Sequence, residues 1–77
     1  MQLRKWNEKK REYEPYTVPD EWKVMTYSDD MDEKCNCAEC GKEFAFGLGF
    51  TSLCIHTPRC GFGYIVCPEC HEKELTL

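Results

Sequence analysis

The sequence has no long apolar run. Its first sixteen residues, MQLRKWNEKKREYEPY, are charged throughout, which leaves no stretch for a signal peptide or a membrane span. The expectation is a cytoplasmic protein with no membrane partner. Basic charge is also scarce: ten Lys and Arg stand against fourteen Asp and Glu, a net charge of −4 and a poor overall field for approaching phosphates. Histidine occurs only at positions 56 and 71, too few for a His-centred nuclease site with a base and separate metal ligands. The acidic run DDMDEK lacks the glycine that a hand-type calcium loop needs at its sharp turn. Internal repeats and low-complexity segments are absent too. At 77 residues the chain is one small unit, and a core of that size is marginal without a staple.

Cysteine is what the sequence has in excess. Seven of them in so short a chain point to disulfides or metal ligands. The count is odd, and a reducing compartment disfavours structural disulfides, so metal thiolates are the expectation. Cys37 and Cys40 form one C-x2-C pair, Cys67 and Cys70 a second, and 26 residues separate the pairs. Each pair can offer two sulfurs to one ion, and four sulfurs close a structural Zn2+ site. Gly41 after the first pair permits a tight turn, and Pro68 stiffens the second. With four thiolates and one divalent metal the net charge moves to about −6. A site closed by four cysteines has no open position for substrate or water, so a non-catalytic staple is expected. Thiol oxidoreductases use one reactive pair near a βαβ pattern instead.

Cys35, Cys54, His56 and Cys60 remain as candidates for a second metal, since CIHTPRC offers Cys-x-His-x3-Cys. The alternative makes Cys54 a small buried strand residue and Cys35 and Cys60 loop thiols. Strand alternation would place Cys54 and His56 on one face. His71, directly after a ligand, is expected beside the site or in solvent.

Along the chain, residues 1–34 read as an N-terminal extension that packs on a four-cysteine module spanning 35–77. Leu3, Trp6, Lys10 and Tyr13 have near-helical spacing, which predicts a short amphipathic helix over 3–13. Pro15 and Pro19 hold EPYTVPDEW extended. WKVMTY, residues 22–27, alternates as a short strand, and Ser28 with DDMDE reads as a turn. EFAF, FTSLCIHT and FGYIV read as strands joined by the chain's five glycines, which all lie in the module. PECHEKEL is long enough for about two helical turns.

The two pairs, CAECGK and VCPEC, resemble the zinc-ribbon and treble-clef modules, which implies antiparallel strands around one zinc; in treble clefs the last pair starts a helix. The fold class expected is thus a small metal-stabilised α+β protein, with zinc-ribbon-like antiparallel strands, a short C-terminal helix and an extended or helical N-terminal segment. Over a longer span, WKVMTYSDDMD with CAECGKEFAFGLGFTS and GYIVCPEC is similar to small zinc proteins of phages and prophages in Gram-positive bacteria. That resemblance implies an accessory role and no reaction. Rubredoxin, a one-iron electron carrier, is also similar in joining C-x2-C-G to C-P-x-C, but His71 stands where rubredoxins place glycine.

Two partner classes follow. In the favoured reading Trp6, Tyr13, Tyr16 and Trp22 display aromatic anchors beside the acidic residues Asp29, Asp30, Asp32 and Glu33, for a basic host protein. In the alternative, Arg4, Lys5, Lys9, Lys10 and Arg11 contact nucleic-acid phosphates while aromatics stack on bases.

Overall fold

The structure, a computed structural model, describes residues 1–59 and 61–76. The described residues form a small α+β fold: six strands in two antiparallel sheets, one 3-10 turn and one C-terminal helix. Strands β1 (Gln2–Asn7) and β2 (Glu12–Thr17) form a hairpin. Strands β3 (Lys34–Asn36) and β4 (Glu43–Ala45) form a second, small sheet. After the 3-10 turn Phe46–Leu48 come β5 (Phe50–His56), β6 (Gly63–Val66) and the helix α1 (Pro68–Leu75). The larger sheet has the order β2-β1-β5-β6.

The helix expected over residues 3–13 is instead the β1–β2 hairpin, with Leu3 opposite Tyr16 and Trp6 opposite Tyr13. Its turn is built without glycine. The Asn7 side chain accepts the N–H groups of Lys9 and Lys10, and Arg11 takes the left-handed conformation at φ 54°, a role that a short polar side chain and a single αL residue can fill together. The aromatics at near-helical spacing serve cross-strand pairing: Trp6 and Tyr13 meet edge-on at 5.1 Å.

The strand expected over 22–27 does not form a ladder. Lys23 exchanges hydrogen bonds with Asn36, on the outer side of β3, and the Met25 carbonyl accepts the N–H of Ile65 in β6. This segment is therefore divided between two sheets. It covers an edge of each rather than extending one.

The core lies where the two sheets and the cysteine knuckles meet. Leu3, Val18, Ile55 and Val66 are fully buried, each contributing about 1.5–3 kcal/mol of apolar burial. Phe44, Tyr64, Ile65 and Ala38 complete the cluster, with Tyr16, Trp22 and Phe46 packed around it. Tyr16 ties hairpin to knuckle by donating its hydroxyl to the carbonyls of Ala38 (2.9 Å) and Glu39 (3.3 Å).

Candidate metal centre

The first cysteine pair lies in the turn between β3 and β4. Gly41 closes that turn at φ 81°, its N–H reaching the Cys37 carbonyl at 2.9 Å, and Cys37 N–H reaches the Lys42 carbonyl at 2.8 Å. The second pair spans the passage from β6 to α1. Cys67 is the residue before the helix, Pro68 takes the first helical position, where its missing N–H costs nothing, and Cys70 falls in the first turn. This places the second pair at a helix start, the arrangement a treble clef implies. Ala38 N–H bonds to the Ile65 carbonyl and so joins the first knuckle directly to the strand leading into the second.

The Sγ atoms of Cys37, Cys40, Cys67 and Cys70 all lie within 4.8 Å of one another. Cys40 and Cys67 are 3.8 Å apart at sulfur, which matches the ~3.8 Å edge of a tetrahedron with Zn–S bonds of about 2.3 Å. The donor set therefore fits a tetrahedral divalent ion. Cys37 is the most supported of the four: its sulfur accepts N–H groups from Glu39 (3.4 Å), Cys40 (3.4 Å) and Cys67 (3.3 Å). Burial pushes its thiol up, but these backbone donors outweigh burial and hold it below the ordinary range. Cys40 and Cys70 are displaced the other way, by burial first and by neighbouring thiols second. Such thiols stay protonated until a metal bonds the sulfur and displaces the proton into solvent.

Around this centre, Lys5 forms an ion pair with Glu39 at 3.1 Å, and the Phe50 ring stacks on His71 at 4.5 Å. A cavity of about 270 Å³ reaches Cys40 and Cys70 and is lined also by Lys5, Cys54, Lys73 and Glu74. Ser52, buried in β5, donates to Glu74 at 2.9 Å and accepts the N–H groups of Cys54 and Ile55. That local turn produces a bulge in β5. Cys54 thereby shares a cavity with Lys5, whereas His56 meets Tyr13 edge-on at 5.6 Å and lies near Arg4. Simple alternation misplaces them because the bulge intervenes.

Cys35 is buried in β3, and among the described residues only the four knuckle cysteines gather as three or more metal donors. Cys35, Cys54 and His56 form no such group, and Cys60 lies outside the described residues. The remaining candidates are dispersed. Trp22 and Tyr16 are half-buried against the core, and Trp6 donates its indole N–H to Glu8 at 2.7 Å while Tyr13 stays exposed. Asp29, Asp30 and Asp32 are exposed on one turn, and Glu33 pairs with Lys23 at 2.6 Å. On the basic side, Arg4 donates to the Thr57 carbonyl and caps the Tyr13 ring at 4.0 Å. Lys10 pairs with Glu14 and Arg11 with Glu8, while Lys9 is exposed.

Among the described residues no helix is long and apolar enough to cross a membrane. Comparisons with protein-family models, with curated proteins and with solved structures find no match.

Proposed function

We propose that the chain is a non-catalytic protein-interaction module stapled by one structural Zn2+ on Cys37, Cys40, Cys67 and Cys70. The observation that carries this reading is the convergence of four sulfurs from two knuckles at tetrahedral spacing. All four protein ligands being cysteine leaves the metal no vacancy for chemistry. What the staple holds up is then a surface. The resemblance to small phage and prophage zinc proteins supports an accessory or inhibitor role on a host protein in the bacterial cytoplasm, with nucleic-acid machinery or a defence complex as the kind of target that presents basic surface.

The nucleic-acid alternative draws less support. Of its five basic side chains, Lys5, Lys10 and Arg11 are already paired with carboxylates, so phosphate would have to displace them.

Two measurements test the proposal. Elemental analysis of protein purified without added metal should return one zinc per chain; stoichiometric iron with thiolate charge-transfer colour would favour the rubredoxin-like reading. Affinity capture from host lysate should return a protein partner that survives nuclease treatment. Capture that depends on DNA or RNA would overturn it.

A further inference from the structure

Among the described residues two sheet edges lack a covering partner, those of β2 and β4. In β1–β2, Met1 and Val18 exchange backbone hydrogen bonds, so by antiparallel alternation Tyr13, Pro15 and Thr17 direct their backbone groups away from β1. Pro15 stands at the centre of that free edge and has no N–H to offer. The β6 edge is covered, because Ile65 donates to Met25 and accepts from Ala38. The outer edge of β3 is covered by the Lys23–Asn36 exchange.

β4 differs. Cys37 N–H bonds to Lys42 and Phe46 N–H bonds to Glu33, so in the register Cys35–Phe44 the backbone groups of Glu43 and Ala45 point away from β3. No backbone or side-chain partner meets them among the described residues.

Beside this bare edge lies a groove of about 660 Å³, lined by Glu43, Ala45, Leu48, Phe50, Pro68 and Glu69 among others. Leu48 is 65 % exposed and Phe50 47 %. Their exposure has a structural cause: Gly49 lies directly against Ile65 and Phe44, where a side chain would collide, and its two neighbours stand outward. The rim is acidic. Glu43 and Glu69 flank the groove, and Gly47 N–H bonds to the Met31 carbonyl at 2.9 Å, which docks the turn bearing Asp29, Asp30 and Asp32 against its end. Of the two lysines there, Lys42 is engaged by Glu69 at 3.4 Å.

We infer that β4 and this groove bind an extended, basic peptide segment of a partner protein, which adds as a strand to β4 and seats an apolar side chain against Leu48 and Phe50. Strand addition supplies affinity through backbone hydrogen bonds and specificity through the pocket for alternate side chains. A second copy of this chain is disfavoured as the occupant because it brings the same net charge of −4. This inference rests on the protein-interaction reading and names its surface and partner chemistry.

The test is a titration of zinc-loaded, isotope-labelled full chain with a short synthetic peptide of alternating Lys and Phe, followed by amide NMR. Shifts should concentrate at Glu43, Ala45, Leu48 and Phe50, weaken with salt, and vanish for the same peptide N-methylated at alternate amides or with Glu in place of Lys. Leu48→Asp, on an exposed side chain, should weaken binding about tenfold or more while its spectrum and zinc content stay native. No binding, shifts centred elsewhere, or indifference to N-methylation would overturn the inference. If a protein captured by the wild-type chain is captured equally by Leu48→Asp, the groove is refuted and the interaction reading stands.

Discussion

The indole of Trp22 occupies the space in which a Cβ at Gly41 would have to sit, and Gly41 itself holds φ 81°. The N-terminal third thus reaches into the turn that shapes the first cysteine knuckle. Gly41→Ala combines a left-handed conformation that L residues resist with a collision against a ring packed on the core, costing about 2–5 kcal/mol together. Thermal melts at fixed zinc should show the midpoint fall by on the order of 10 °C or more, with Trp22 fluorescence changing in the native baseline.

The four ligands should not be equivalent. Cys37 is buried and receives three N–H groups, while Cys40 is exposed. Cys37→Ser is expected to abolish tight metal binding and unfold residues 35–77, because metal binding supplies folding free energy in sites of this kind. Cys40→Ser should fold with weakened metal affinity, water or hydroxyl taking the vacated place. Cobalt absorption and circular dichroism of the two variants decide this; identical behaviour would contradict the asymmetry.

Metal uptake should release protons. Burial and neighbouring thiols hold Cys40 and Cys70 up in the metal-free chain, so both are protonated at neutral pH and must be deprotonated on binding. Zinc affinity is therefore expected to rise with pH through the neutral range. Calorimetry in buffers of different ionisation enthalpy reads the proton count, and a pH-independent affinity would refute the expectation.

Glu33 couples stability to acid. Hydrogen bonds from Lys23 first and Ser28 second hold its carboxyl below the ordinary carboxylate range. A depressed folded-state pKa gives stability that is present above the unfolded value and lost as pH falls through the folded one. Glu33→Gln should therefore lower stability at pH 7 and flatten the loss below about pH 4.5. Denaturant midpoints measured at both pH values for the two proteins test this at constant zinc.

Tyr16 links the hairpin to the knuckle by its hydroxyl as well as by its ring. Tyr16→Phe keeps the ring on the core and removes bonds to the Ala38 and Glu39 carbonyls, which should cost about 0.5–1.5 kcal/mol. Hydrogen exchange should quicken at both the hairpin and the first knuckle if the link matters.

The module was legible in the sequence because its signals are local. Two C-x2-C spacings, glycine punctuation and Pro68 at a helix start each constrain a few neighbouring residues, and β4, β5, β6 and α1 appear where those signals put them. The N-terminal third was not, for a physical reason. Leu3, Trp6 and Tyr13 satisfy a helical period only because a four-residue turn brings Trp6 opposite Tyr13, and that turn uses the Asn7 side chain and Arg11 where a glycine would have announced it. Trp22 and Tyr16 read as exposed anchors because aromatic residues in a charged segment carry no mark of what they will pack against. Leu48 and Phe50 carry no local mark as surface, because Leu48 falls in a glycine turn and Phe50 opens a strand. Their outward placement follows from the tertiary contact of Gly49.

Cys40 alone among the four knuckle cysteines faces solvent, with the adjoining cavity opening onto it. A metal bound there would be most open to solvent on the Cys40 side, where the cavity also touches Cys70. How tightly the ion is held and how quickly it is exchanged then become separate properties, the first spread over the core and the second set by this exposed side.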